Sequence, residues 1–285
     1  MRAASCQAAV AEVGGSIAGS LRGVDCLAQE MTQDAFFRLF GASGGLTGAL
    51  TILLTLYVAF FAFQLITGRS RLGVSALTPR MLTLGLVLTF ATSWVAYQSV
   101  VWNLATGAPD EIAAILTGVD GRASEVFADK VDVVFGMITQ IAGVDEAPSS
   151  VFSPPGLLWF GATLFLLGTV GILVTSRIAL AVLVALGPIF VVMALFQGTR
   201  GLFVGWLKGV VLLAIAPLFA VIGGSLMLEL SVPVLGALNA NAGSIDPRAA
   251  MGFFMIGAVH VALMFLCLKA ATTMVAGWSV FGLAA

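Results

Sequence analysis

The run from Leu157 to Gln197 constrains this chain more than any other feature: 41 residues carrying a single charge, Arg177. As one helix it would extend about 60 Å, twice the hydrocarbon thickness of a bilayer. As two spans it would have to reverse near Arg177, where a tight turn needs Gly, Pro or Asn. Val174-Thr175-Ser176-Arg177-Ile178 contains none of these. One long helix is therefore the favoured reading, with a hairpin as the alternative. A water-soluble fold is excluded, because 60% of the chain is hydrophobic and 9% charged, whereas soluble domains carry about a quarter charged residues.

Further spans follow from the same logic. Leu46 to Ile66 lies inside an uncharged stretch between Arg38 and Arg69, rich enough in Leu, Ile, Val and Phe to favour insertion by roughly 4 to 7 kcal/mol. A second stretch runs from Met81 to Pro109, with Thr78 read as N-cap, Pro79 at the first helical position and Trp94, Tyr97 and Trp102 at its far end. Those aromatics suit a headgroup belt, and core packing is an equal alternative for Trp94. Gly209–Leu228 and Ala249–Ala276 complete the set, the last entered through Asp246 and Pro247. The expected fold class is all-α: a polytopic membrane helix bundle of about five transmembrane helices with an amphipathic helical periplasmic region. Its expected divisions are 1–43 as a periplasmic tail with an interfacial helix, 44–105 as the first two spans, 106–156 as an acidic periplasmic loop, and 157–285 as the remaining spans (about 157–197, 209–228 and 249–276).

Orientation is read from the cations, because Lys- and Arg-bearing loops stay in the cytoplasm. Five spans with the N-terminus outside place Arg69, Arg71, Arg80, Arg200 and Lys208 inside with no acid among them. This predicts a multi-pass membrane protein with a periplasmic N-terminus and a cytoplasmic C-terminus. The first 40 residues carry seven charges and no apolar core of signal-peptide length, so an uncleaved tail is expected.

Within that tail Cys6 and Cys26 are either a disulfide, worth roughly 3 kcal/mol in an oxidising compartment, or two free thiols. Leu27, Met31, Phe36, Phe37 and Phe40 recur at near-helical spacing just before the first span, as in a helix lying on the outer membrane boundary. The loop 106–155 carries eight acids and two basic residues, which disfavours direct contact with nucleic acid. Inside it Phe127, Val131, Val134, Ile138 and Ile141 form an apolar helical stripe. The stripe reads first as a cover on the protein's own surface and second as a candidate periplasmic docking face.

Chemistry-bearing groups are sparse. One histidine and three separated cysteines cannot build a four-ligand zinc site, and no phosphate-cradling loop or nucleophile–base pair is evident. The expectation is a non-enzyme without cofactors. Arg177 is the candidate intramembrane functional charge, expected to face a water-filled cavity, a headgroup or carbonyls; a locally hydrated structural arginine is the alternative. His260 reads as a hydrogen-bonded interior residue, and Lys269 as snorkelling to the inner surface. Gly201, Gly205 and Gly209, with Gly41 and Gly45, form small-residue stripes suited to helix packing or oligomerisation. Thr47, Thr51 and Thr55 line another face with hydroxyls, and Pro188 and Pro217 should kink their helices.

Several segments together resemble a known family. They are Arg38-Leu-Phe-Gly through Leu53-Leu-Thr-Leu-Tyr-Val, Gly68-Arg-Ser-Arg, Arg80 before Leu84-Gly-Leu-Val-Leu, Ala185-Leu-Gly-Pro-Ile-Phe, Thr199-Arg-Gly-Leu-Phe-Val-Gly-Trp-Leu and Ala216-Pro-Leu. Over roughly 38–280 the chain resembles the TrbL-like (VirB-six) polytopic inner-membrane subunit of type IV secretion and conjugation systems. The resemblance implies a homo-oligomeric channel or platform subunit that supports substrate translocation and pilus assembly. Implied partners are membrane lipid, pilin, minor pilin, assembly factor and coupling ATPase, with nucleic acid at most a transported substrate. A stand-alone ion or solute channel is the alternative function, motivated by the threonine face and Arg177.

Overall fold

A computed structural model describes residues 2–41, 43–67, 74–142, 150–239 and 245–279. The loop cations Arg69 and Arg71 lie outside these. The described residues are helical with no strand: α1 (Arg2–Ala11), α2 (Ile17–Phe40), α3 (Thr47–Ile66), α4 (Val74–Thr92), α5 (Trp94–Tyr97), α6 (Asn103–Thr117), α7 (Ala123–Ala142), α8 (Pro154–Leu166), α9 (Ile172–Met193), α10 (Arg200–Asn239) and α11 (Pro247–Ala276). One π-helical turn, Gln98–Trp102, joins α5 to α6, and another, Leu167–Gly171, joins α8 to α9. Four of these helices are long and apolar enough to cross a membrane, and a bent pair raises the number to five. The chain is an all-α polytopic membrane bundle, the arrangement in which each span satisfies its own backbone hydrogen bonds without water.

Helix lengths depart from the expected spans. Pro154–Met193 is one helix of 40 residues with no reversal at Arg177, as the missing turn residues require. It opens on Ser153, whose hydroxyl accepts from the Gly156 amide, with Pro154 at the first turn. The span expected at Gly209–Leu228 lies inside a longer helix, Arg200–Asn239, also 40 residues. The second is corrected too. α4 begins at Val74, ahead of the supposed cap Thr78, and at Ser93 the axis turns by 103°. Ser93 causes this locally: its backbone is extended and its side chain accepts from Ala96 N–H, starting a new helix. Trp94, Tyr97 and Trp102, expected as a headgroup belt, are buried at 8%, 0% and 6% exposure.

The chain divides into two compact units, Met1–Leu27 with Thr106–Ile178 and Leu212–Ala276, and Ala28–Ala105 with Ala179–Val211 and Gly277–Ala285. α8 and α11 are tightly paired in the first. A Cβ on Gly257 would lie 2.5 Å from the Gly161 carbonyl oxygen, and one on Gly161 would lie 2.9 Å from Phe254 Cα. Only glycine at both positions permits so close an approach. The packing stripes read from sequence behave differently. A Cβ at Gly201 or Gly205 would meet nothing within 4 Å. Gly41 and Gly45 belong to the turn that ends α2, where Gly41 N–H donates to Phe37 O and Gly45 N–H to Arg38 O. Gly209 does pack within the chain, with space for a Cβ only 3.0 Å from Leu183 Cδ1.

The second unit turns on Pro188. A proline inside a helix has no N–H, so the carbonyl four residues earlier loses its partner. That carbonyl is Val184, and the Tyr97 hydroxyl donates to it at 2.6 Å. The neighbouring Leu183 carbonyl accepts from Trp206 Nε1 at 2.7 Å. Gly187 makes room for both donors: a Cβ there would overlap the Tyr97 hydroxyl and lie 2.7 Å from the Trp206 ring. Phe36 packs on Trp94 and Tyr97 at ring separations of 5.3 and 5.7 Å, and Thr32 Oγ1 donates to Ala28 O at 2.8 Å. Tyr97→Phe should cost about 1–3 kcal/mol by orphaning the Val184 carbonyl. Gly187→Ala should cost at least as much, while Gly201→Ala, with open space, should stay within about 0.5 kcal/mol. Unfolding in detergent micelles measures all three, and equal stability of Tyr97→Phe and wild type would refute this account.

Candidate functional site: a buried arginine and its carboxylate

Arg177 sits in α9 with 6% exposure. A guanidinium so buried demands a counter-charge, because it cannot be deprotonated to escape the desolvation cost. Asp25, on α2, supplies it: Arg177 Nε lies 3.1 Å from Asp25 Oδ1. The other carboxylate oxygen, Oδ2, lies 3.1 Å from Arg122 Nη2. One aspartate thus bridges two arginines drawn from distant parts of the chain. Arg122 extends the network to Glu125 at 3.0 Å and to Asp110 at 3.5 Å. Burial alone would lower the Arg122 pKa, but the carboxylates of Asp25, Glu125 and Asp110 outweigh it and hold the guanidinium above its ordinary value.

The elements carrying these groups are fixed by further polar contacts. The α2 N-terminus points two free amides, Ile17 and Ala18, at the Asp132 carboxylate of α7, at 2.7 and 2.9 Å. A carboxylate there also complements the helix dipole. Asp110 repeats the device for α7, accepting from Ser124 N–H at 2.9 Å. Cys6 and Cys26 are disulfide-bonded with a Cα separation of 5.5 Å, tying α1 to α2 one residue from Asp25. A cavity of about 20 Å³ opens beside the pair, lined by Arg22, Asp25, Ser124, Glu125, Leu173 and Arg177 among others. That volume holds about one water molecule.

The docking reading of the loop stripe is corrected here. Phe127, Val131 and Ile138 are 2%, 2% and 1% exposed, and Val134 and Ile141 pack against the same two clusters. Phe127 and Val131 meet Phe165, Leu173, Ala220 and Met264, while Ile138 meets Leu158, Leu235 and Phe253. The stripe covers the protein's own helices, because the apolar residues of α8, α10 and α11 in these clusters take apolar partners. The stripe on α2 divides: Phe36 and Phe40 face inward, and Leu27, Met31 and Phe37 are exposed at 49%, 44% and 47%.

His260 is interior, as expected, and stacks on Phe165 at 4.6 Å, with Gly168 making room for its ring. Neither ring nitrogen is hydrogen-bonded among the described residues, which differs from the expected bonded histidine. The pairing partner of Arg177 was missed from sequence, although Asp25 is the acid next to Cys26, and a disulfide there would already bring α1 and α2 together. Pro188 and Pro217 both lie inside helices, and only Pro188 has its compensating donors defined by the contacts above.

Two predictions follow from this geometry. Asp25→Ala should destabilise by about 3 kcal/mol by leaving Arg177 buried and unpaired, and Arg177→Met in the same chain should restore most of that loss. If the double variant is no more stable than Asp25→Ala, the pair is not what holds α2 in place. Separately, Cys26→Ser should lower stability by about 3 kcal/mol under oxidising conditions and by nothing in reductant, as read by unfolding with and without a reducing agent.

Comparison with known proteins identifies the family of the chain. The TrbL/VirB6 plasmid conjugal transfer family matches residues 54–267. The type IV secretion system protein VirB6 of Bartonella henselae is 21% identical over 203 residues, covering 68% of this chain and 61% of that relative. The chain therefore spans less than two-thirds of the relative's length. With the match extending over most of its helices, from α3 to the latter part of α11, this chain belongs to the TrbL/VirB6 family of plasmid conjugal transfer proteins.

Proposed function

We propose that the chain is an inner-membrane subunit of a type IV secretion or conjugation apparatus, forming part of its channel or platform and supporting substrate passage and pilus assembly. The family match over residues 54–267 carries this reading. Helix length supports it, since α10 and the α8–α9 helix each run 40 residues, about 60 Å, and so reach well past a 30 Å hydrocarbon layer. Such projecting helices give a membrane subunit a surface on which non-membrane components can seat. In this reading the N-terminus is periplasmic, the C-terminus cytoplasmic, and the partners are other copies of the chain, pilin and minor pilin, an assembly factor and a coupling ATPase. Gly201 and Gly205, open to their surroundings, are the positions at which another helix could approach closely. The acidic loop favours protein over nucleic acid as its neighbour, with nucleic acid at most a cargo.

The stand-alone channel reading has less to rest on. Thr51 and Thr55 donate their hydroxyl protons to the carbonyls of Thr47 and Thr51, and Arg177 is paired with Asp25. In-frame deletion of the gene should abolish conjugal transfer or effector export, and a plasmid-borne copy should restore it. Transfer at wild-type frequency in the deletion strain would end this assignment.

A further inference from the structure

We infer that α6 lies flat in a membrane–water boundary and seats Leu104, Ile112, Ile115 and Leu116 in lipid. This rests on the membrane-spanning fold and not on the secretion role. Four observations carry it. First, the helical rod Trp94–Thr117 is bent by 103° from Met81–Thr92. If α4 crosses the bilayer, α6 therefore runs close to parallel with its surface. Second, α6 has two unlike faces. Ala113 and Ala114 are 0% and 9% exposed and pack in the cluster with Phe165, Leu173, Ala220 and Val221. On the opposite side Leu104, Ile112, Ile115 and Leu116 are 63%, 48%, 75% and 66% exposed.

Third, the apolar exposure does not stop at α6. Residues adjoining the same cluster on two other helices also present large apolar side chains outward: Leu226 at 56%, Phe265 at 67% and Leu266 at 61%. Large apolar side chains left outward on three helices suit a hydrocarbon surround, which asks for no hydrogen-bonding partner. Fourth, the band has a polar edge where α6 ends. Asp120, Arg122 and Glu125 follow directly in sequence, and Arg122 is bound to three carboxylates. An amphipathic helix in that position sits at the junction of headgroups and acyl chains, its apolar face submerged.

The test uses the full chain with Cys267→Ser, leaving the disulfide intact. Ile115→Cys and, as a second site, Leu104→Cys are labelled with an environment-sensitive fluorophore, with Asp129→Cys on the exposed face of α7 as the aqueous control. The proteins are reconstituted in phosphatidylethanolamine–phosphatidylglycerol vesicles carrying a nitroxide near the glycerol end of one acyl chain. Quenching by the lipid nitroxide should exceed that of the control by about threefold or more at both sites, with iodide quenching reduced to a similar degree. Iodide access equal to the control would show a water-facing helix and overturn the inference. Shielding from both quenchers, with oxidative crosslinking of two Ile115→Cys chains, would assign the face to a second copy and overturn it equally.

Discussion

The pairing of Arg177 with Asp25 organises much of what surrounds it. A guanidinium at 6% exposure within an apolar helix has no neutral form to retreat to, so the fold has to bring it a carboxylate. That carboxylate lies more than a hundred residues earlier, on a helix whose start is held by Asp132 and whose neighbouring residue is cross-linked to Cys6. Residues 17–27 are therefore held to α7 and α9 by capping and charge, and to α1 by a covalent bond. Asp25 also engages Arg122, so the connection between α6 and α7 depends on the same side chain. Loss of this one carboxylate would loosen two arginines and three helices.

The same shortage of water governs the other irregularities. Pro188 deprives the Val184 carbonyl of its helical donor, and Tyr97, arriving from a separate helix, replaces it. Gly187 is required less for its backbone freedom than for the absence of a side chain, since any Cβ would displace the Tyr97 hydroxyl. Gly161 and Gly257 do comparable work between α8 and α11, where backbones meet. Each case follows one rule: in a low-dielectric interior an unpaired polar group costs more than the conformational restriction needed to pair it.

For a secretion subunit these features have a shared consequence. Helices longer than a bilayer extend apolar surface beyond lipid, and that surface must be covered by protein. α7 provides the cover with Phe127, Val131 and Ile138, while Asp129 and Lys130 stay exposed. The segment 106–155 nevertheless carries eight acids against two basic residues. A surface of that kind suits contact with other proteins better than contact with a polyanion.

Hydropathy alone established the class of this protein: residues so apolar, with so few charges and no turn former near Arg177, can only be membrane helices, and one of them has to be very long. The Pro247 start of α11 and the presence of an apolar stripe on α7 were legible for the same reason, because they depend on local periodicity and capping. Which face of a helix meets which neighbour was not legible, since periodicity marks a stripe without naming its partner. Hence the α7 stripe kept a docking surface as its second reading, the glycines at 201 and 205 outranked those at 161 and 257, and Arg177 stood without Asp25. The break at Ser93 was hidden as well, because an uncharged stretch looks the same in sequence whether it runs straight or turns by 103°. Those decisions belong to long-range pairing, where a charge, an orphaned carbonyl or a missing Cβ selects its partner only after the helices have come together.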